Sequence, residues 1–583
     1  MIRDRIYYID PLSGHDANSG LEPETPWKSF APLNRRRLVA GDHVKVLTPG
    51  AFHETLILRG GGMAGCPVTV HFAPGRYDLY PNWQQARLYD ISNCNSDRLT
   101  PKPAGILFDQ AHHIRIRGNG ARLICRGKMI EISLNHSSAI TCSELTFDYH
   151  RPTVSEFSVT KATDNYADLA IHLDSDYRIE DDRIIWEGEG WAYDSCLTQE
   201  LDSKRKTIRR TQNPLQELKL EALEKRRVRA YGEHTLTKGF VYQQRNPFRD
   251  CCGVFINHSR DVLFSRLKFL YMHGMGILCQ FSENITLDTV SIAPDTNSGR
   301  TCAAWADCFH ASGCRGQITV RNCVFDGAHD DAINIHGTYM RIVEQTSERQ
   351  LKARFMHPQT FGFTAFSLGD EINLVRWDTL MRFGPNRVTG VEMVDPYVQL
   401  LTLEKPVPDN WHENDVIENV TWTPEVQITG CITRRIPTRG FLVSTPKKTE
   451  IRANTFNKPY MNGVLIACDA NNWFESGSVQ DVTIASNRFI KCGGDAIRIR
   501  PNNPVPNPAV HQNIRIIENN FVLDGKAAVD AKGTTGLTIS RNTVTAPEPA
   551  APKTAFQFET CKNVSLTTNN FIDNKNGGSF SND

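Results

Sequence analysis

The 583-residue sequence predicts an all-β fold, a parallel β-helix, on two observations. The first is a repeat in the second half, where a short alternating apolar run ends in Asn-x-(Phe or Val). It reads Val320, Asn322, Val324; Ile451, Asn454, Phe456; Ile484, Asn487, Phe489; Ile516, Asn519, Phe521; Ile539, Asn542, Val544; and Leu566, Asn569, Phe571. From Asn454 onward the Asn spacings are 33, 32, 23 and 27 residues. A variable period with a floor in the low twenties is expected when each repeat is one coil of three short strands and insertions are confined to loops. The second observation is the alternation itself, which has period two, whereas the 3.6-residue period of helical repeats is absent.

Taken in chain order, residues 1–151 form an N-terminal cap and the first coils. Pro26–Phe30 is expected to start a short capping helix, and Gly41–Leu47 to turn into the first coil; Ile114–Ile124 and Ile140–Phe147 are weaker copies of the repeat. Caps are needed because an open solenoid end exposes unpaired strand edges and core. Residues 152–237 interrupt the rhythm with strand-like alternation at Leu169, Ile171 and Leu173. A dense charged run from Leu215 to Arg229 follows, expected to be a solvated helix or loop. Residues 238–337 resume the coils, with Val262, Phe264, Leu267 and Phe269 repeated at Ile285, Leu287, Val290 and Ile292, 23 residues on. Residues 338–423 form a second insert, containing Gly369–Val375 and a hairpin from Val388 to Leu403 turning at Asp395-Pro396. Residues 424–583 complete the coils. Each insert is too long for a structureless loop in a compact domain, so both read as small β modules on a flank of the coil.

Composition narrows the function. Lys plus Arg number 66 against 65 Asp plus Glu, so the basic excess that phosphate neutralisation needs is missing, and no nucleic-acid partner is expected. No apolar run approaches the ~18 residues of a membrane-spanning helix. The first ten residues lack the basic and then apolar pattern of a signal peptide, which was either trimmed or never present. The 16 cysteines include no C-x-x-C pair; Cys302, Cys308 and Cys314 recur every six residues and read as core side chains rather than as a metal site. Phosphate-loop, zinc-peptidase and nucleophile-elbow motifs are all absent.

The chemistry concentrates in Ala306–Ser312 and Asp330–Gly337. Asp307 and Asp331 lie 24 residues apart, one coil, and each precedes a similar short strand, so they should stack at the ~4.8 Å strand spacing with Asp330 beside them. A third copy of the strand, Gly494–Arg500, lacks the Asp pair. Like charges this close raise at least one pKa, and a glycosidase needs carboxyls of both kinds, one to protonate the leaving oxygen and one to activate water. Set against this, Asp is common in turns and could merely shape them. Alternation brings His310, Asn334 and His336 near the same face, with Trp305 and the His273–Gly276 turn close by. Trp473 and Glu475 offer an aromatic platform beside a carboxylate, or else Trp473 packs under a loop.

These residues resemble a known family. The stretch Cys252–Ile342, with Ala306-Asp307-Cys308-Phe309-His310, Gly313-Cys314-Arg315-Gly316 and His329–Tyr339, is similar to the α-1,3-galactosidases of glycoside hydrolase family 110. So are Phe147–Glu156, Thr445–Lys448 and Trp473–Ser476. The resemblance implies a right-handed parallel β-helix with two inserted β-barrel-like modules. It also implies exo-acting, metal- and cofactor-independent removal of terminal α-1,3-linked galactose with inversion, from blood-group B type or linear glycans. Asp307, Asp330 and Asp331 would be the catalytic carboxylates. By analogy with polygalacturonases, Asp330 would be the acid, with Asp307 and Asp331 holding the water. His273, Trp305, His310, Asn334, His336, Trp473 and Glu475 are the candidate substrate-binding residues. An extracytoplasmic location is the family expectation, and the oligomeric state, a homodimer included, stays open. The rivals are a polygalacturonase-like endo-hydrolase, whose Arg-x-Lys signature is not evident; a lyase, in which the Asp pair would hold calcium; and a non-catalytic glycan-binding solenoid.

Overall fold

The computed structural model describes residues 4–94, 100–546, 552–573 and 579–581. Strands dominate, and among the described residues no helix is long and apolar enough to cross a membrane. Parallel strands stack coil upon coil on three faces. One face begins with Arg5–Ile9 on Asp42–Val46 and continues through Val68–Phe72, Ala104–Arg117 and Ser138–Ser143. The first coil thus starts before the Gly41 turn. The predicted weak copies align, Ile114 with Ile140 and Leu123 with Phe147. The capping helix is shorter and later than expected, a single turn at Ala31–Asn34. Pro26–Phe30 is instead held by Trp27, which bridges Ile9 and buries its ring against Tyr7.

Interior positions carry the repeat. Phe456, Phe489 and Phe521 stack with centroids 4.7 and 5.0 Å apart. Beside them Asn454, Asn487, Asn519, Asn542 and Asn569 form a buried ladder, each amide nitrogen donating to the next amide oxygen at 3.0–3.1 Å. Each also donates to a backbone carbonyl, so the buried amides are satisfied. Asn322 is not part of this ladder. Strand register puts Cys323 at the ladder position, and Asn322 one residue earlier at an exposed corner. That corner is left-handed in coil after coil: Arg266, Thr289, Asn322, Gly430, Ala453, Ser486, Glu518, Arg541 and Thr568 all have φ between 53 and 69°. The one-residue slip arose because a corner Asn and a ladder Asn look alike in sequence.

Both inserts are antiparallel. In the first, a seven-stranded sheet runs from Val154–Ala162 to Phe240–Arg245, so its last strand lies beyond residue 237. The charged run corrects the helix-or-loop expectation: Lys219–Glu224 and Arg227–Tyr231 pair as a hairpin. Leu220, Val228 and Ala230 face the insert's core while the intervening charges face water, a period-two pattern hidden by the density of charge. In the second insert Arg382–Met393 and Val398–Leu403 form the predicted hairpin. The cysteines are free and mostly buried; Cys302, Cys308 and Cys314 pack in the solenoid core.

Candidate active site

The strands Phe309–Ser312 and Ile333–Ser347 are neighbours, with Phe309 opposite Ile333, which sets Asp331 one coil above Asp307. The Asp331 backbone N–H donates to Asp307 Oδ1 at 3.0 Å. Asp330 projects from the same turn, which is fastened by its own N–H to Ala306 O and by His329 N–H to Ala304 O. One oxygen from each of the three carboxyls lies within 4.8 Å of the others. The third copy of the strand, Ile497–Ile499, lies further along the same stack. There Asp495 Oδ1 caps the Ala527 N–H. Behind the trio, Gly276 has φ +62°, and a Cβ there would lie 2.1 Å from the Asp307 carbonyl oxygen, so glycine permits the close approach.

The three carboxyls have different surroundings. Asp330 Oδ2 accepts from Arg210 at 2.9 Å and Arg249 at 3.4 Å. Asp331 Oδ1 accepts from the Thr438 hydroxyl and the Arg439 N–H, and its Oδ2 from the Arg439 guanidinium. Asp307 Oδ2 lies 2.7 Å from His310 Nδ1. Burial, helped by the Asp330 charge, pushes the Asp307 carboxyl up to about 7. Burial also takes Asp331 up to about 7, against the pull of Arg439. Burial acts in the same direction on Asp330, but Arg210, Arg249, Arg439 and Arg245 outweigh it and hold that carboxyl down at about 2. Burial keeps His310 and His329 neutral, with pKa values well below the ordinary imidazole range. Raised and lowered carboxyls thus stand side by side, as acid–base chemistry at a glycosidic bond requires.

The trio lines a cavity of about 410 Å³. Of the other expected residues, His310, Asn334, Trp473 and Glu475 line it too. Trp473 is 46% exposed, with one face covered by His357 of the second insert at 4.3 Å. His273, Trp305 and His336 do not line it, which corrects their expected role as sugar contacts. His273 is buried between Asp250 and Thr153, Trp305 is sandwiched by Arg245 and His273, and His336 sits behind His310. Several wall residues were not foreseen: Gln199, Arg210 and Arg245 from the first insert, Arg249 just after it, and His329 and Arg439 from the coils. Arg210 reaches both Asp330 and the His329 carbonyl, pinning the insert to the catalytic-type turn. Asn334 Oδ1, His329 Nε2 and Gln199 Oε1 are buried with no hydrogen-bond partner among the described residues. Such atoms are costly unless a ligand's hydroxyls complete them. Only His329 carried a sequence signal, its adjacency to Asp330; the arginines belong to elements distant in sequence.

The trio is also the one acidic group among the described residues with metal-ligand spacing. Its donor set suits a cation poorly. A hard divalent ion takes about six or more oxygens, whereas both Asp331 oxygens are committed to Arg439 and Thr438, and two guanidiniums face Asp330.

Fold and site together define a β-helical, glycan-processing hydrolase. Family profiles match on all three parts: GLAA-B beta-barrel domain I at residues 155–240, GLAA-B beta-barrel domain II at 350–417, and a right handed beta helix region at 416–583. Alpha-1,3-galactosidase A of Akkermansia muciniphila is 39% identical over 93% of this chain and 92% of its own length. Alpha-1,3-galactosidases A and B of Bacteroides thetaiotaomicron are 39% and 32% identical, over 87% and 86% of this chain and 91% and 85% of theirs. The chain belongs to the α-1,3-galactosidase family, glycoside hydrolase family 110, and is a glycoside hydrolase.

Proposed function

We propose that the protein is an exo-acting, inverting α-galactosidase that removes terminal α-1,3-linked galactose, as on blood-group B type or linear glycans, with Asp307, Asp330 and Asp331 as its catalytic carboxyls. The observation that carries the reading is three carboxyls of unequal acidity in a cavity walled by both inserts, a shape that suits a chain end rather than a passing polymer. The family's naming supplies the substrate.

The resting charge balance supports a division of roles opposite to the one the resemblance implies. Asp330, ionised among arginines, activates the attacking water; of the two carboxyls raised to about 7, Asp307, with no guanidinium on its oxygens among the described residues, keeps the proton and serves as the acid, while Asp331, accepting three hydrogen bonds from Arg439 and Thr438, stands with Asp330 on the water's side. Oxygens within 4.8 Å stand nearer the retaining separation of about 5–5.5 Å than the inverting one of about 6.5–9.5 Å. A carboxylate clamped by guanidiniums is a poor nucleophile, however, which favours water as the attacking group.

Proton NMR of the protein acting on galactosyl-α-1,3-galactose and on its fucosylated trisaccharide tests this. β-Galactose appearing before mutarotation is the expected result. α-Galactose first overturns inversion, and cleavage of neither substrate overturns the assignment.

A further inference from the structure

We propose that His310, His336 and Glu475 form a proton relay that sets the protonation state of Asp307, an inference that rests on the reading of Asp307 as a catalytic carboxyl. The chain of contacts is continuous. Asp307 Oδ2 meets His310 Nδ1 at 2.7 Å, His310 Nε2 meets His336 Nε2 at 2.9 Å, and His336 Nδ1 meets the Gly337 carbonyl at 2.7 Å. Both rings are buried, and Glu475 Oε1 stands 3.4 Å from His336 Nε2.

Counting protons shows why this is more than packing. Three contacts at hydrogen-bond distance need one proton each, and two neutral imidazoles bring only two. With Asp307 ionised and both rings neutral, two lone pairs face each other somewhere along the chain, inside a dry core where such a clash is expensive. One further proton is therefore held, in either of two ways. In the first, Asp307 carries it and donates to His310 Nδ1, while His310 Nε2–H donates to His336. In the second, the Asp307 O–H bond has broken and His310 Nδ1–H has formed, while His310 Nε2–H has broken and His336 Nε2–H has formed. One proton has then moved from carboxyl to His336, no other charge has changed, and the resulting imidazolium faces the Glu475 carboxylate. His336 and His310 are positioning residues, and Glu475, which also lines the cavity, is where the relay meets solvent.

The charged groups facing the chain are consistent with a retained proton. Burial and the neighbouring Asp330 charge favour the protonated form of Asp307, and Arg249, Arg439 and the Asp331 backbone N–H oppose them. Around His310 the same Arg249 and the His336 ring disfavour a charge, while Glu475 and Asp330 favour it. Behind Glu475, His357 is kept neutral by burial.

Two measurements test the relay. Long-range proton–nitrogen NMR of ring-labelled wild-type protein, assigned with His310→Gln and His336→Gln variants and run from about pH 5 to 9, should show His310 populating both tautomers, with a second ring proton on His336 in the fraction where His310 carries its proton on Nδ1; the two arrangements hold equal numbers of protons, so their ratio stays constant until the retained proton is lost. In His336→Gln, whose amide can donate to His310 without carrying a proton, the alkaline limb of kcat should move down by about one pH unit with KM unchanged. A purely structural His336 would change the rate or the melting temperature but leave that limb in place. A single His310 tautomer across the range, or superimposable pH profiles, overturns the proposal. Because the NMR needs no turnover, a wild-type protein that cleaves no galactoside would defeat the proposed function while still deciding the relay.

Discussion

Gly276→Ala should displace Asp307 and slow turnover. The new methyl would lie 2.1 Å from the Asp307 carbonyl oxygen and 2.7 Å from that of Cys308, and an ordinary contact requires Asp307 to retreat by about 1 Å. The left-handed φ of +62° adds about 1–2 kcal/mol of strain for alanine. A misplacement of about 1 Å at a reacting group costs a rate factor of about 10². Gly525→Ala separates the two effects, since φ there is +80° but nothing lies within 4 Å of the added methyl. With kcat on the disaccharide and thermal melts for both variants, the expectation is a comparable small drop in Tm from backbone strain, a further drop for Gly276→Ala from displacement, and loss of rate in that variant alone. A kcat for Gly276→Ala within threefold of the Gly525→Ala value would refute the claim that this glycine holds Asp307 in place.

Single Asp→Asn changes at 307, 330 and 331 should each lower kcat by about 10²–10⁴ with little change in melting temperature; a variant retaining a tenth of wild-type activity removes that residue from the catalytic set. Asp307 acts as an acid with a pKa raised to about 7, so activity should be present below that value and fall as pH rises through it; a plateau extending to pH ~9 would contradict the assignment. Asn487→Ala leaves the Asn454 backbone N–H without its partner and removes one of the two acceptors of the Asn454 amide and the side-chain donor to the Ile451 carbonyl, so urea unfolding should show a loss of about 1–3 kcal/mol. A loss under ~1 kcal/mol would mean the ladder is not a stabilising element. Prolonged chelation should leave turnover unchanged; loss restored by a divalent cation would make the trio a metal site.

The solenoid was legible in the sequence because a coil is a local object. Period-two alternation and a recurring interior residue survive in a single chain, and a separation of 24 residues sufficed to stack Asp331 on Asp307. His310 and Asn334 were found by the same arithmetic, since they face outward between the inward Phe309 and Ile333. The arithmetic says nothing about depth, however. His273, Trp305 and His336 have the chemistry of sugar contacts, yet they stand behind the wall and brace it. Nor does it give the partners that tune acidity. Arg210 comes from a hairpin about 120 residues before Asp330, and Arg439 lies across the second insert from Asp331, so nothing local links them.

The placement of the inserts explains why this coil, among many alike, holds a pocket. The outward face of a β-helix is an open trough along which a polymer could lie. Here the strand that begins at Ile333 runs without a break to Ser347, leaving the solenoid and entering the second insert directly beyond Asn334 and His336. The first insert starts at Thr153–Val154, where the Thr153 hydroxyl meets His273, and returns Gln199, Arg210 and Arg245 to the cavity. A third wall comes from the N-terminal coils, where Asn93 meets Thr360 of the second insert. The trio is fixed by strand register and the walls by the inserts, so wall residues that touch none of the three carboxyls can vary without moving them. Exchanging the strand start Leu197–Gln199 and the loop at 357–359 should therefore change which galactosides are accepted while the pH dependence set by Asp307 stays put; a swap that moves the pH profile as much as the substrate preference would show that register and walls are not separable.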